Sequence, residues 1–213
     1  AISCRKTGAT TVSATMILAA SANIKVFATG GVGGVHLDAE KTFDVSADLQ
    51  ELAQTPVTVI SAGPKAILDL PKTLQVLETL GVPVVTFGQD ELPAFWSRSS
   101  GLRSPIRMNS AEEIARSQLI RDALSIPGGQ LVANPIPAYA EIPFQEILPI
   151  IKKAHLEANK ENISDKNLTP FLLEKVFNLT DGASLNANIE LVKNNASLAC
   201  KVASSLITEK SRL

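Results

Sequence analysis

Apolar residues along this chain alternate between short β-branched runs and longer stretches with helical spacing. The short runs predict four buried strands, at residues 24–28, 57–61, 82–87 and 130–133. Between them, small or helically spaced apolar residues predict helices at 10–22, 46–52, about 74–80 and 110–124. From about residue 143 the pattern becomes helical only, with helices predicted at 144–158, 170–179 and 183–207.

This alternation of helix and strand predicts an α/β fold with a largely parallel sheet flanked by helices. The helical C-terminal region should pack around the sheet and close a site from outside it. Residues 135–143, bounded by prolines, are the hinge that the sequence suggests. One domain spanning residues 1–213 is the expectation for a chain of this length.

Composition narrows the class of protein further. Of 213 residues, 45% are hydrophobic, which is enough to build a full core. Lys and Arg number 20 against 21 Asp and Glu, with no basic run, so we expect no nucleic-acid partner. No apolar stretch reaches the length of a membrane span. Cys4 and Cys200 match neither a metal-ligand spacing nor a disulfide framework, which suits a reducing compartment.

Three segments could carry chemistry, and the first is the Gly-rich turn at residues 29–36, TGGVGGVH. Glycines after a strand let the backbone approach a ligand closely and present N–H groups to an anion. It is not a dinucleotide fingerprint, because His36 stands where a third glycine would be needed. A tight structural turn explains the same residues equally well.

The second segment is DVSAD, in which Asp44 and Asp48 flank Ser46. With Ser46 as N-cap, Asp44 precedes the helix and Asp48 lies in its first turn, so the two carboxylates need not share a face. One could hold a metal while the other meets a substrate. A capped helix start with two acids that favour the helix dipole is the simpler alternative.

The third segment is SAGPK, which places Lys65 just past a buried strand. Open α/β sheets bind ligands at this edge. A lysine that is desolvated there has a lowered pKa, and its neutral amine can form a Schiff base. Most lysines that follow strands are simply solvated, so position alone does not decide between the two roles.

Taken together and in order, these segments resemble the pseudouridine-5′-phosphate glycosidase family, also called the indigoidine synthase A-like family. The resemblance covers nearly the whole chain. Its matching stretches are GATTVSATM at 8–16, VFATGGVGGVH at 26–36, DVSADLQEL at 44–52, residues 55–85 around SAGPK, LVANPIP at 131–137, LTPFLLEKV at 168–176 and SLNANIELVKNNA at 184–196.

The resemblance implies a role for each matching residue. Lys65 would be the Schiff-base nucleophile, and Asp44 would be the ligand of Mn²⁺ or another divalent cation. The remaining matching positions would contact substrate: Thr11, Val12, His36, Ser46, Ala47, Asp48 and Asn188. The implied reaction is the reversible cleavage of pseudouridine 5′-phosphate to uracil and ribose 5-phosphate, and the implied assembly is a homotrimer.

The chemistry fits a lysine, because the base and ribose of pseudouridine are joined by a C–C bond and no heteroatom can leave. Amine attack at C1′ opens the sugar ring and leads to an iminium, after which uracil departs once protonated. The family's N-terminal third, with a catalytic glutamate and a further lysine, has no counterpart before Ala1, and Leu37-Asp38 replaces the family's frequent Arg-Gly. The alternative is therefore an inactive nucleotide- or sugar-phosphate-binding relative.

The last residues suggest a location. Ser211-Arg212-Leu213 is a conservative variant of the peroxisomal Ser-Lys-Leu address, which a receptor reads at the carboxyl terminus. The charged residues around it predict a frayed, accessible end. A charged terminus without an address, in a cytoplasmic protein, is the alternative.

Overall fold

The structure is a computed structural model that describes residues 3–164 and 167–211. Five parallel strands form one sheet in the order β1-β2-β5-β3-β4. The strands are β1 (Val26–Ala28), β2 (Thr58–Ser61), β3 (Val84–Phe87), β4 (Ile106–Met108) and β5 (Gln130–Ala133). The predicted α/β class with a parallel sheet is confirmed.

Eight α-helices accompany the sheet within the described ranges. They are α1 (Val12–Ser21), α2 (Ala39–Thr42), α3 (Ala47–Gln54), α4 (Leu70–Thr79), α5 (Ala111–Ala123), α6 (Phe144–Lys160), α7 (Leu168–Leu179) and α8 (Ala183–Lys210). None of these helices combines the length and the apolar character that crossing a lipid bilayer requires. The predicted helical region after residue 143 is confirmed as α6, α7 and α8.

Local sequence explains where several helices begin. Ser46 is the N-cap of α3, as predicted, and its hydroxyl accepts a hydrogen bond from the amide of Asp48. At α5, Ser110 and Glu113 form a complete capping box. Helix α4 begins earlier than the apolar spacing indicated, because Asp69 caps it and Pro71 is tolerated in its first turn.

Two of these strands and α-helices were not predicted. Strand β4 is short, lies at the sheet edge and is mostly exposed, so it lacks the apolar run that signals a buried strand. The strand at Gln130–Ala133, predicted as the fourth, is therefore the fifth, and it lies in the middle of the sheet between β2 and β3. Helix α2 is a single turn between two residues in the left-handed conformation, Asp38 and Phe43.

Alternate residues of the central strands face two different helix layers. Val59 and Leu131 pack in one apolar cluster with residues of α1, α3 and α4. Their neighbours Ile60 and Val132 pack on the opposite face with residues of α5 and α8. This alternation follows from the two-residue period of a strand, and burial on both faces explains the nearly continuous apolar runs.

The third cluster lies where α6, α7 and α8 meet the loops that follow the strands. Its fully buried members include Trp96, Ile136 and Ile147. The segment predicted as a hinge is held in place here, because the carbonyl of Ile136 accepts a hydrogen bond from Arg98 and the amide of Ile142 donates to the carbonyl of Trp96. The C-terminal helices thus cover the carboxyl edge of the sheet, as expected.

Buried amides join α8 to this edge. Asn195 is fully buried, and its Nδ2 donates to the carbonyls of Thr29 (2.8 Å) and Gly30 (3.3 Å). Its Oδ1 accepts from Nδ2 of Asn134, which follows β5. Every polar atom of this side chain is therefore satisfied, and α8 is fixed against the turn that follows β1.

We predict that Asn195→Ala lowers the free energy of unfolding by about 2–3 kcal/mol, because the carbonyl of Thr29 and the buried amide of Asn134 lose the partner that Asn195 supplies. Chemical denaturation monitored by circular dichroism measures this change. Asn186→Ala is the matched control on an exposed position of the same helix and should change stability by less than about 0.5 kcal/mol. Equal effects of the two variants would contradict the role given to Asn195.

Candidate active site

The carboxyl edge of the sheet carries a cavity of about 350 Å³ that contains Lys65. Three structural groups line it: the start of α1, the turn after β1 and one face of α8. Their lining residues, with Lys65, are Thr10, Thr11, Val12, Thr15, Phe27, Thr29, Gly30, Gly31, Phe95, Asn188, Leu191 and Val192. Four of the residues predicted for the site, Lys65, Thr11, Val12 and Asn188, are brought together here.

Lys65 is positioned by the backbone on both sides of it. Its amide donates to the carbonyl of Val32, and Pro64 forms an isolated parallel bridge with the same residue. Gly63 adopts φ +86°, and a Cβ there would come within 2.9 Å of the carbonyl of Pro93, so only glycine fits. The SAGPK segment is thus a tight turn that delivers the lysine from the end of β2 to the cavity.

The environment of Lys65 favours a neutral amine. Burial lowers its pKa from the usual 10.5, and the negative charge of Asp48 partly opposes that effect. Desolvation is the larger of the two influences. A larger share of this amine is therefore unprotonated at neutral pH than for an exposed lysine, which is what a nucleophile requires.

Asp48 is buried, and its carboxylate joins two other segments. Oδ1 accepts a hydrogen bond of 2.8 Å from the amide of Ser13 in the first turn of α1. Oδ2 accepts one of 2.8 Å from the amide of Gly33. Asp48 thus fixes the start of α1 and the Gly-rich turn relative to α3, and it does not line the cavity.

The Gly-rich turn is chiefly a close-packed connection. The amides of Val32, Gly33, Val35 and His36 all donate to protein acceptors, so they are not available to an anion. A Cβ at Gly33 would lie 2.1 Å from Oγ of Ser46. The second half of this segment is therefore a tight structural turn and not an anion-binding loop. Gly30 and Gly31, in its first half, line the cavity.

Asp44 and His36 lie next to each other and do not line the cavity. The amide of His36 donates to the carbonyl of Asp44, and Nδ1 of His36 is 3.9 Å from Oδ2 of Asp44. That Nδ1 is buried and, in the described residues, has no hydrogen-bond partner. Burial lowers the pKa of His36, with Asp44 opposing and Lys65 adding to the effect, so the surroundings favour the neutral imidazole.

The remaining predicted residues also lie outside the cavity lining. Ser46 is engaged as the cap of α3, its amide donates to the carbonyl of Gly34, and Ala47 is exposed. Sequence reasoning missed six of the lining residues, namely Thr10, Thr15, Phe27, Phe95, Leu191 and Val192. Thr10 and Thr15 lie in the GATTVSATM stretch, whereas Phe95 comes from an irregular loop where no periodicity marks it.

The fold and site define an α/β protein with a lysine-bearing cavity at the carboxyl edge of a parallel sheet. A sequence profile described as "Indigoidine synthase A like protein" matches residues 1–205. The chain belongs to the indigoidine synthase A-like family.

Two relatives are pseudouridine-5′-phosphate glycosidases of bacteria. The protein of Paracoccus denitrificans is 62% identical over 203 residues, covering 95% of this chain and 67% of the relative. That of Jannaschia sp. is 65% identical over 201 residues, covering 94% and 67%. The chain therefore spans about two thirds of the length of these relatives.

Two solved structures share the fold. The prealnumycin C-glycosynthase AlnA, in complex with ribulose 5-phosphate, has a TM-score of 0.91 at 32% identity, covering 97% of this chain and 68% of its own. An indigoidine synthase A-like protein of Thermotoga maritima has a TM-score of 0.84 at 39% identity, covering 92% and 64%. The parallel sheet and its helices are therefore those of the family.

We predict that Lys65→Met stabilises the protein at neutral pH. The native pKa lies below the unfolded value of 10.5, so in the interval between them the unfolded chain binds a proton that the native protein does not. Wild-type stability should rise with pH through that interval, and the advantage of Lys65→Met should be largest below it and shrink towards pH 10.5.

Urea denaturation at a series of pH values measures this difference. Lys153→Met, at an exposed position of α6, is the matched control and should show no pH-dependent advantage. A stability difference for Lys65→Met that does not change with pH would mean that the amine is not desolvated.

Proposed function

We propose that this chain carries the lysine-dependent chemistry that cleaves pseudouridine 5′-phosphate to uracil and ribose 5-phosphate. The observation that carries the proposal is the desolvated amine of Lys65 in a cavity at the ligand-binding edge of the sheet. Relatives that are 62% and 65% identical are pseudouridine-5′-phosphate glycosidases, and they contain this chain almost in full.

The reaction proceeds through an iminium of Lys65. The neutral amine attacks C1′, the C1′–O4′ bond breaks, and O4′ takes up a proton as the ring opens. The nitrogen lone pair then forms the C1′=N bond while the C1′–C5 bond breaks and C5 of uracil receives a proton. Water hydrolyses the iminium to the aldehyde of ribose 5-phosphate and restores the amine, so one water is consumed overall.

The cavity has polar and apolar walls that suit different parts of such a substrate. The hydroxyls of Thr10 and Thr15, 2.8 Å apart at the start of α1, give the cavity a polar wall that suits a sugar phosphate. Phe27, Phe95 and Leu191 give the cavity apolar walls that suit the flat faces of a base. In this proposal Lys65 meets C1′ between these two regions.

The proton for uracil needs a donor that the cavity lining does not supply. Among the described lining residues there is no Asp, Glu or His, and both oxygens of Asp48 already accept backbone N–H groups. This observation favours, as a second candidate, a relative that binds the sugar phosphate without turnover. Release of uracil from pseudouridine 5′-phosphate supports the first candidate, and a ligand-induced rise in Tm without uracil supports the second.

We predict that ribose 5-phosphate and borohydride label the chain covalently at Lys65. Trapping requires only the amine and the sugar aldehyde, so it tests the nucleophile independently of the proton donor. Lys65→Ala should reduce the labelling by at least about 10³-fold.

Mass spectrometry of peptides locates the label, and Lys153→Ala is the matched control that should label like the wild type. Undiminished labelling of Lys65→Ala, or label spread over exposed lysines in the wild type, would refute the assignment.

We also propose that Asp44 holds a divalent cation such as Mn²⁺. In the described residues no three His, Cys, Asp or Glu side chains come together. The donors present nevertheless fit a hydrated ion, since the Asp44 carboxylate is partly exposed and Nδ1 of His36, which has no hydrogen-bond partner among the described residues, lies 3.9 Å from it. Hard cations keep several waters and need only one or two protein ligands. When bound, the ion would stabilise negative charge on oxygen atoms.

We predict that Asp44→Asn weakens Mn²⁺ binding by at least about tenfold, because it removes the anionic ligand and keeps the side-chain shape. Isothermal titration calorimetry measures the affinity without any turnover. Asp38→Asn is the control, as this exposed carboxylate lies in the same loop and pairs with Lys41. If both variants bind Mn²⁺ like the wild type, Asp44 is an ordinary acid before a helix.

The expected homotrimer and the peroxisomal address stay predictions. Of the address, Arg212 and Leu213 lie outside the described residues, and Ser211 follows the last turn of α8, where its hydroxyl donates to the carbonyl of Thr208. The relatives described above are bacterial proteins and give peroxisomal targeting no support.

A further inference from the structure

The indole of Trp96 makes a hydrogen bond whose direction can be assigned unambiguously. Its Nε1 lies 2.8 Å from the Asn188 amide group. An indole N–H can only donate, so the amide atom facing it must be the acceptor Oδ1. In the described part of the chain, Trp96 is the one residue whose side chain hydrogen-bonds to Asn188, so Nδ2 and its two N–H groups remain without a protein acceptor.

Both partners are held rigidly. Trp96 is 1% exposed, its ring packs edge-on against Phe95 at 5.0 Å, and its carbonyl accepts from the amide of Ile142. Asn188 lies on α8 with Leu191 on the face that lines the cavity. Because Asn195 fixes the same helix to the turn after β1, the amide cannot easily move away from the indole.

We propose that Trp96 is a positioning residue that holds the Asn188 amide as a hydrogen-bond donor towards the substrate in the Lys65 cavity. This positioning role rests on the proposed function, which supplies the identity of the substrate. The group that meets Asn188 must then be an oxygen acceptor, namely a base carbonyl or a sugar or phosphate oxygen. A substrate N–H at that place would oppose the amide N–H groups and be rejected.

The hydrogen bond can be observed directly, because the chain contains a single tryptophan. In a ¹⁵N-labelled sample the indole gives one N–H resonance, and no assignment is needed. We expect Asn188→Ala to shift this resonance upfield and speed its exchange with solvent, and Asn188→Asp, which keeps an acceptor oxygen, to leave it hydrogen-bonded. An indole resonance that is the same in the wild type and in Asn188→Ala would overturn the proposal.

A double-mutant cycle tests the consequence for the substrate. Trp96→Phe keeps a buried aromatic ring but loses the N–H, and it should lower kcat/KM for pseudouridine 5′-phosphate about tenfold, the value of one hydrogen bond. In an Asn188→Ala background the same substitution should have almost no effect, since the amide it positions is absent. Equal effects in both backgrounds would show that Trp96 acts through packing alone and would overturn the proposal.

Asn188→Asp separates donor from acceptor without disturbing the core. It preserves the contact with Trp96 but replaces the two N–H groups by an anionic oxygen, so kcat/KM should fall more than in Asn188→Ala. Retained activity in Asn188→Asp would refute the donor role even if Trp96→Phe does not fold.

The positioning role can be tested separately from the proposed function. If the unsubstituted chain releases no uracil, Trp96→Phe, Asn188→Ala and the double variant are compared with it by their affinity for ribose 5-phosphate, measured by isothermal titration calorimetry. Coupling between Trp96→Phe and Asn188→Ala in that affinity supports the positioning role without turnover. Additive effects, or no binding by the wild type, count against it.

Discussion

The buried carboxylate of Asp48 ties together the three segments from which the site is built. It accepts one hydrogen bond from an amide in the first turn of α1 and another from an amide of the Gly-rich turn, and Asp48 itself lies in the first turn of α3. An anion that is removed from water needs such partners, because an unsatisfied buried charge would cost several kcal/mol. The positions of Thr11 and Val12 in the cavity therefore depend on a residue that does not itself line the cavity.

Steric limits along the Gly-rich turn add to this constraint. Gly31 faces the ring of Phe95, and Gly34 faces Thr73, in both cases at distances that leave no room for a Cβ. The turn is therefore closely packed at both of these glycines. Gly30 and Gly31 line the Lys65 cavity, whereas Gly33 touches Ser46 and His36 pairs with the backbone of Asp44.

Sequence patterns predicted the central strands, the long helices and the cap of α3, because each of these has a local signal. Strand β4 was not predicted, because its three residues at the sheet edge are mostly exposed. Lys65 could be singled out from its place after β2, and the family resemblance gave it a role. That Asp48 would be an organising residue could not be predicted, since its partners Ser13 and Gly33 are 35 and 15 residues away in sequence.

The conformation of Phe95 could not be predicted from the sequence either. It adopts φ +58°, a left-handed conformation that bulky residues rarely take, and its amide donates to the carbonyl of Ala62 in the turn that carries Lys65. The loop sequence contains no signal that predicts this conformation, because the surrounding packing imposes it.

The desolvation of Lys65 follows from this crowded construction. Lys65 lines the same cavity as the apolar side chains of Phe95 and Leu191. Burial lowers the pKa of its amine, and the carboxylate of Asp48 raises it. Both oxygens of Asp48 accept hydrogen bonds from backbone N–H groups, so the orientation of this carboxylate is set by α1 and the Gly-rich turn. The bonds that build the site thus also fix the carboxylate whose charge opposes the desolvation of Lys65, and desolvation remains the larger influence on the pKa of the amine.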